Sequence, residues 1–250
     1  MLTAHRGFNS TKTWSTSRKA VGKHTLCPEE KLAHRKEAVT AVAVSQSGHF
    51  GVQGTLFGRI DLFSMQSGMH RQTYLSHKKQ ITGLSIDSTD ATLISVSLDQ
   101  TLRVWSLLEG TLLHTISLPY PITGLAHQRE SALCAVSTQS PRNTVFMVDP
   151  ATHNVVRQFN ADEQVIRDMA LSYDGRWLIT GDAKGVVRTW DIPTGTLVDW
   201  FQCISPITSL SLNQKSDFLA TTHEKEVGIS LWSLSSIFSL CRRDGLTVVV

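Results

Sequence analysis

The sequence predicts an all-β chain of repeated antiparallel units, and three observations carry that expectation. First, apolar residues come in short runs broken by Gly, Asp and Pro, as in Ser172–Gly195 (SYDGRWLITGDAKGVVRTWDIPTG). A helix would need about ten or more residues free of such breakers. Second, an apolar hexad recurs as VTAVAV from Val39, ITGLSI from Ile81, ITGLAH from Ile122, IRDMAL from Ile166 and ITSLSL from Ile207, at spacings of 42, 41, 44 and 41 residues. Third, Trp105, Trp190 and Trp232 close the third apolar run of their units, and Trp190 is followed by Asp191. A period of roughly 40–45 residues with that closing Trp-Asp is the pattern of WD-repeat blades. The predicted fold is therefore a WD-repeat β-propeller with five full blades plus a partial N-terminal blade, forming part of a larger propeller.

In chain order, residues 1–37 read as a basic leader with the remnant of a preceding blade, Lys12–Thr16 around Trp14 being its third strand and Lys23–Cys27 its fourth. The blade at 38–75 follows VTAVAVS with a turn at Gln46-Ser47-Gly48, and Phe63 stands where a Trp is expected. The blade at 77–116 is the best formed. His77, Ser95 or Ser97, Asp99 and Trp105 fall where WD blades join a His, a hydroxyl, a turn Asp and a Trp in a hydrogen-bonded relay. Each such bond contributes about 1 kcal/mol net, so these residues are expected to brace the blade rather than to do chemistry. The blade at 121–159 is degenerate, with VFMVDP for the Trp-Asp strand and a longer turn, Thr138–Asn143, bearing Pro141 and Arg142. The blade at 164–201 keeps Thr180, Asp182 and Trp190 but carries Asp162-Glu163 where a His is expected. The last blade, 206–241, runs ITSLSLN, FLATTH and GISLWS to a weak outer strand at Ile237–Cys241, before a tail at 242–250 with a β-prone run, Leu246–Val250. An unfinished ring would leave apolar blade faces uncovered at about 25 cal/mol per Å², so missing blades are expected from more chain or from a partner.

Charge is uneven. Residues 1–37 carry eight Lys/Arg against three Glu, a balance of +5, which leaves −2 for the rest of a chain whose total is +3. Such a leader can approach phosphates, but a solvated, partly disordered end is the favoured reading. Cys27, Cys134, Cys203 and Cys241 stand far apart, with no C-x-x-C pair, and fit a reducing compartment. No apolar run reaches the roughly eighteen residues that would span a bilayer, and the N-terminus is too polar for a signal peptide. A soluble cytosolic or nuclear chain is expected, with the Asn9-Ser10-Thr11 sequon unglycosylated and no membrane partner. Acids sit mostly in turns (Asp99, Asp174, Asp182, Asp217), where their backbone bonding explains them. His223 and Glu224 have no second ligand pair at metal spacing, and no nucleophile motif or phosphate-cradling loop is present. The sequence reads as no enzyme, with no cofactor, no metal and no small-molecule substrate.

Three segments go beyond the general repeat: GHFGVQGTLFGRIDLFSMQSGMHR (Gly48–Arg71), DGRWLITGDAKGVVRTWDIPTG (Asp174–Gly195) and SDFLATTHEKEVGISLWS (Ser216–Ser233). In order and spacing they resemble the second propeller of the tandem WD-repeat subunit of the UTP-B subcomplex of the small-subunit processome, the U-three small nucleolar RNA-associated protein twenty-one family. The likeness covers about Ala38 to Ser239, and Gln66-Ser67-Gly68 with His70-Arg71 is its most specific part. It implies a non-catalytic scaffold in ribosome biogenesis, a nuclear and nucleolar location, and a role in small-subunit rRNA processing. The implied partners are other tandem-propeller processome subunits, with pre-rRNA or U-three snoRNP contact open. Lys78, Lys79, Arg142, Lys184 and Lys225 fall in turns expected on the top rim, where they could meet proteins or RNA phosphates, although scattered cations are also an ordinary surface. The alternative is a generic WD-repeat adaptor such as a ubiquitin-ligase substrate receptor, which the fold alone does not distinguish.

Overall fold

The structure, a computed structural model, describes residues 1–5, 7–15, 18–27, 37–75, 77–128, 133–161 and 164–233. Asp162-Glu163, the outer strand expected at Ile237–Cys241 and the tail at 242–250 lie outside the described residues. The described chain divides into two compact units, one ending at Thr123 and one starting at Gly124.

In the first unit, β1 (Leu2–Ala4), β2 (Thr11–Ser15) and β3 (Ala20–Leu26) form a three-stranded sheet. A four-stranded sheet follows from β4 (Val39–Val44), β5 (Phe50–Thr55), β6 (Arg59–Ser64) and β7 (His70–Leu75), and another from β8 (Ile81–Ile86), β9 (Thr92–Ser97), β10 (Thr101–Ser106) and β11 (Leu112–Ser117). β12 (Ile122–His127) runs into the second unit and pairs in order with β13 (Cys134–Thr138), β14 (Thr144–Asp149) and β15 (Asn154–Asn160). The second unit continues with the sheet of β16 (Ile166–Leu171), β17 (Trp177–Asp182), β18 (Val186–Asp191) and β19 (Leu197–Gln202), and ends with β20 (Ile207–Leu212), β21 (Phe218–His223) and β22 (Ser230–Ser233).

Six sheets among the described residues correct the expected count of five full blades and a partial one. The first sheet leaves only a remnant's signal in the sequence because β1 has three residues and no hexad. Its Trp14 lies on β2, and the β2–β3 register shifts between Lys12 and Trp14. The same irregularity falls between third and fourth strands at Leu62/Phe63, Val104/Trp105, Met147/Val148 and Thr189/Trp190. A bulge bends and twists its strand, and here it recurs at one position whether the residue there is Trp, Phe or Val. Backbone geometry thus survives where the Trp signal is lost, and it identifies β1, β2 and β3 as the second, third and fourth strands of a blade.

Each recurring hexad is the first strand of its sheet, and the next strand is its most buried neighbour, as with Leu93–Ser97 of β9. In the first unit, Val52, Ile60, Leu62, Tyr74, Ile81, Ile86, Leu93, Trp105 and Leu107 pack into one core. The Tyr74 hydroxyl donates to the Leu107 carbonyl at 2.6 Å, and burial pushes its pKa up to about 12. The Thr40 hydroxyl donates to the Ile81 carbonyl at 2.6 Å, and Asp90 accepts the Gln46 and Ser47 amides of the preceding sheet. The second unit repeats the device with other residues. Asp168 accepts the Ser209 hydroxyl and the Leu210 amide, both at 2.7 Å, while Ile179, Val187, Cys203, Ile207, Leu210, Leu219 and Trp232 fill the core between those two sheets.

Candidate interaction surface

In the β8–β11 sheet the Trp105 indole N–H donates to Ser95 Oγ at 2.9 Å, His77 Nε2 lies 2.8 Å from the same oxygen, and His77 Nδ1 lies 3.0 Å from Asp99 Oδ2. Between the two hydroxyls left open by the sequence, Ser95 is thus the one in contact with Trp105 and His77. Ser97 instead donates to the Lys79 carbonyl at 3.1 Å and accepts the Asp99 amide. Burial holds the His77 pKa below its ordinary value despite the Asp99 carboxylate. Burial also raises that of Asp99, but the Thr101 hydroxyl, the Lys78 amide and His77 outweigh it and bring it down to about 2. An anionic Asp99 and a neutral His77 therefore pin the turn between β9 and β10 to the segment that enters β8.

The indole-to-hydroxyl bond recurs from Trp190 to Thr180 at 3.2 Å, from Trp232 to Thr221 at 3.0 Å and from Trp14 to Thr3 at 2.7 Å. Asp182 is not the counterpart of Asp99. It lies eight residues before its Trp rather than six, at the place of Ser97. From there it accepts the Lys184 amide at 2.9 Å, the Val186 amide at 2.8 Å and Arg188 Nη1 at 3.0 Å. His223 closes β21, with Nε2 2.8 Å from Thr221 Oγ1 and Nδ1 3.1 Å from the Ser205 carbonyl. These contacts hold its ring within the sheet.

The β4–β7 sheet contains what sequence reasoning missed. Phe63 has no N–H to give, and the residue in the place of Ser95 is Gln53, buried, with Nε2 unpartnered and Oε1 3.4 Å from the Thr11 hydroxyl. Around it lies a buried chain of charged and polar groups. Glu37 accepts the Thr55 hydroxyl at 2.9 Å, Arg59 Nε reaches Asp61 Oδ2 at 3.0 Å, and the Thr73 hydroxyl donates to Asp61 Oδ1 at 2.7 Å. His70 Nε2 stands 3.4 Å from the same carboxylate oxygen, its ring edge-on to Phe63. An Asp between two β-prone residues, in Ile60-Asp61-Leu62, was the available signal, since an inward Asp needs a partner.

The surface above this framework is made of loops. Lys78, Lys79, Arg142, Lys184 and Lys225 are all exposed. Lys78 and Lys79 are adjacent in the segment before β8, while Arg142, Lys184 and Lys225 lie in turns after β13, β17 and β21. The thiols of Cys134 and Cys203 are pushed up to about 12 by burial, so neither is a thiolate at neutral pH. Among the described residues no group of three or more His, Cys, Asp or Glu is placed to hold a metal ion. What the arrangement can do is hold loops rigidly for contact with other molecules.

Comparison with known proteins agrees with this repeat geometry. A family model described as the WDR36/Utp21 second beta-propeller domain matches residues 1–247. The U3 small nucleolar RNA-associated protein 21 homolog of Schizosaccharomyces pombe is 34% identical over 241 residues, 95% of this chain and 26% of that protein. Human WD repeat-containing protein 36 is 32% identical over 243 residues, 96% of this chain and 27% of that protein. The U3 small nucleolar RNA-associated protein 21 of Saccharomyces cerevisiae is 32% identical over 233 residues, 93% of this chain and 24% of that protein. The chain thus spans about a quarter of the length of these relatives. With the model match extending over nearly all of it and the bulge between third and fourth strands repeated in five of the six described sheets, this WD-repeat propeller chain belongs to the WDR36/Utp21 second β-propeller family.

Proposed function

We propose that the chain is a non-catalytic scaffold of ribosome biogenesis, a platform on which other subunits of the small-subunit processome assemble while small-subunit rRNA is matured in the nucleolus. The observation that carries this reading is the family match over residues 1–247, joined to relatives whose names associate them with U3 small nucleolar RNA. The physical basis is rigidity: relays and buried ion pairs fix the strands, and the strands hold connecting loops that several proteins can grip at once. The division into 1–37, blades at 38–75, 77–116, 121–159, 164–201 and 206–241, and 242–250 belongs to the same proposal, with the first sheet added as a blade and further blades completing a larger ring. Lys78, Lys79, Arg142, Lys184 and Lys225 are its candidate contacts to partners or to pre-rRNA. Affinity purification of the tagged protein from growing cells, with mass spectrometry and RNA sequencing, tests it. Recovery of tandem-propeller processome subunits with pre-rRNA is the expected outcome. Recovery of ubiquitin-ligase components without ribosomal precursors would instead make it an adaptor.

A further inference from the structure

Where a sheet closes its third strand with a buried Trp, the fourth strand of the preceding sheet supplies a ring. Tyr74 meets Trp105 with centroids 5.5 Å apart, Phe159 meets Trp190 at 5.5 Å and Phe201 meets Trp232 at 4.7 Å, separations at which aromatic pairs attract. The rings share one register position, opposite the residue three before the bulge's large side chain, as in Ile60↔Tyr74, Val145↔Phe159 and Val187↔Phe201. That position holds Leu26 and Ile116 ahead of the sheets whose third strands close with Phe63 and Val148. A ring thus precedes each buried Trp, and an aliphatic side chain precedes each place where the Trp is lost.

Trp14 keeps the indole without the ring. Its N–H donates to Thr3 at 2.7 Å, as those of Trp105, Trp190 and Trp232 do to Ser95, Thr180 and Thr221. Met1 is bonded to it through both backbone groups, at the place where Leu93, Leu178 and Leu219 pair with the other three. Those three Trp side chains are 3%, 8% and 7% exposed, and their Leu partners are fully buried. Trp14 is 37% exposed and Met1 71%. The opposite face of the same sheet is covered, with Thr11 and Thr13 buried and Thr11 reaching Gln53 of the next sheet. On the uncovered side Met1, Thr3, Trp14, Ser15, Lys19 and Ala20 surround a cavity of about 340 Å³ with almost wholly apolar walls. A repeat that ends an array in water needs a polar outer face, and this one presents an indole and a Met.

We infer that the Trp14 face receives a further WD-type sheet of the same polypeptide, from outside residues 1–250, docked through a Phe or Tyr of that sheet's fourth strand set into the cavity against the indole. The interface continues one the chain already makes three times. Tyr74, Phe159 and Phe201 are each engaged with another Trp, and the chain spans about a quarter of the length of its relatives, which leaves ample polypeptide to carry the missing ring. The inference rests on the larger ring of the scaffold reading, for which it names the receiving face and the side chain that fills it.

The test puts a diazirine-bearing lysine analogue in place of Lys19, at the cavity wall, in the protein at its natural length in growing cells, and maps the photo-crosslinked peptides by mass spectrometry. Crosslinks should fall in a WD-type repeat of the same polypeptide beyond residues 1–250, close to a Phe or Tyr eleven residues after that repeat's third-strand closing residue. That is the spacing of Phe63 to Tyr74, Val148 to Phe159 and Trp190 to Phe201. Ala20→Arg sets a charge at the exposed cavity wall and should lower the crosslink yield about tenfold or more while leaving the urea midpoint of residues 1–250 unmoved. Ala in place of the mapped Phe or Tyr should lower the yield as much. Crosslinks within residues 1–250, to another protein, to RNA or to a segment without the repeat overturn the inference, as does no crosslink or a yield that neither variant changes. RNA sequencing of the same purified protein separates the two readings. The expected crosslink without ribosomal precursors defeats the scaffold alone, and recovered precursors with any contrary crosslink defeat this interface alone.

Discussion

The β4–β7 and β8–β11 sheets share strand order, register and the bulge before the third strand's large side chain, yet they brace that strand by different chemistry. In β8–β11, Trp105, Ser95, His77 and Asp99 form a mostly neutral relay that ends in one half-buried carboxylate. In β4–β7, Phe63 removes the indole donor, and a buried run from Glu37 through Thr55 and Arg59 to Asp61, Thr73 and His70 stands beside it. A blade therefore does not need the relay, because the backbone bulge and apolar packing already set the strand's path. The two solutions differ in what happens when one member is removed. A relay loses one hydrogen bond at a time, whereas an ion network leaves an uncompensated buried charge.

That difference can be broken most sharply at Asp61. Asp61→Ala takes from buried Arg59 the carboxylate 3.0 Å from its Nε, while Glu37 Oε2 stays 3.9 Å away, and should cost about 3–5 kcal/mol in urea denaturation. The relay should be milder. Ser95→Ala strips the acceptor from Trp105 and a partner from His77, for about 1–3 kcal/mol, while Gln53→Leu at the matching place should stay within about 1 kcal/mol, since Gln53 Nε2 already has no partner. A Gln53→Leu loss as large as that of Ser95→Ala would show that the two positions do equivalent work. Phe63→Trp tests whether Phe63 is a degraded Trp. Phe63 is fully buried against His70, so the larger ring should destabilise by about 1–3 kcal/mol rather than restore a relay.

The relay also makes stability depend on pH. His77 is held below its ordinary 6.5, so the unfolded chain binds the proton more readily, and the relay's contribution is whole above about pH 6.5 and declines as pH falls toward the lowered folded value. Asp99, at about 2 in the fold against 3.8, adds stability that is present above about pH 4 and lost as pH falls from there toward 2. Urea midpoints across this range should fall in those two stages for the wild type. His77→Gln should lose the first stage and keep the second.

Much of the fold was legible because it is periodic. The five hexads beginning at Val39, Ile81, Ile122, Ile166 and Ile207 are the first strands of five sheets, with the boundaries their alternation suggested. Periodicity could not show β1, a strand of three residues with no partner hexad, and so the first sheet was read as a remnant. The relay around Trp105 was legible from spacing alone, but the role of Asp182 was not. Two residues of offset from Trp190 move its carboxylate from a relay onto Arg188 and the turn amides. Least legible was the Glu37–Arg59–Asp61 run. Each member resembles a surface charge in sequence, and only the pairing of β4, β5 and β6 buries them together.

The proposed scaffold function is tested most directly by small-subunit rRNA precursors in cells depleted of the protein. Northern analysis after depletion should show unprocessed small-subunit precursor accumulating while large-subunit precursors mature. A rescuing copy carrying Asp61→Ala, which removes a brace and no exposed contact, should fail to restore processing in proportion to its lost stability. Unchanged small-subunit precursor levels after complete depletion would contradict the assignment.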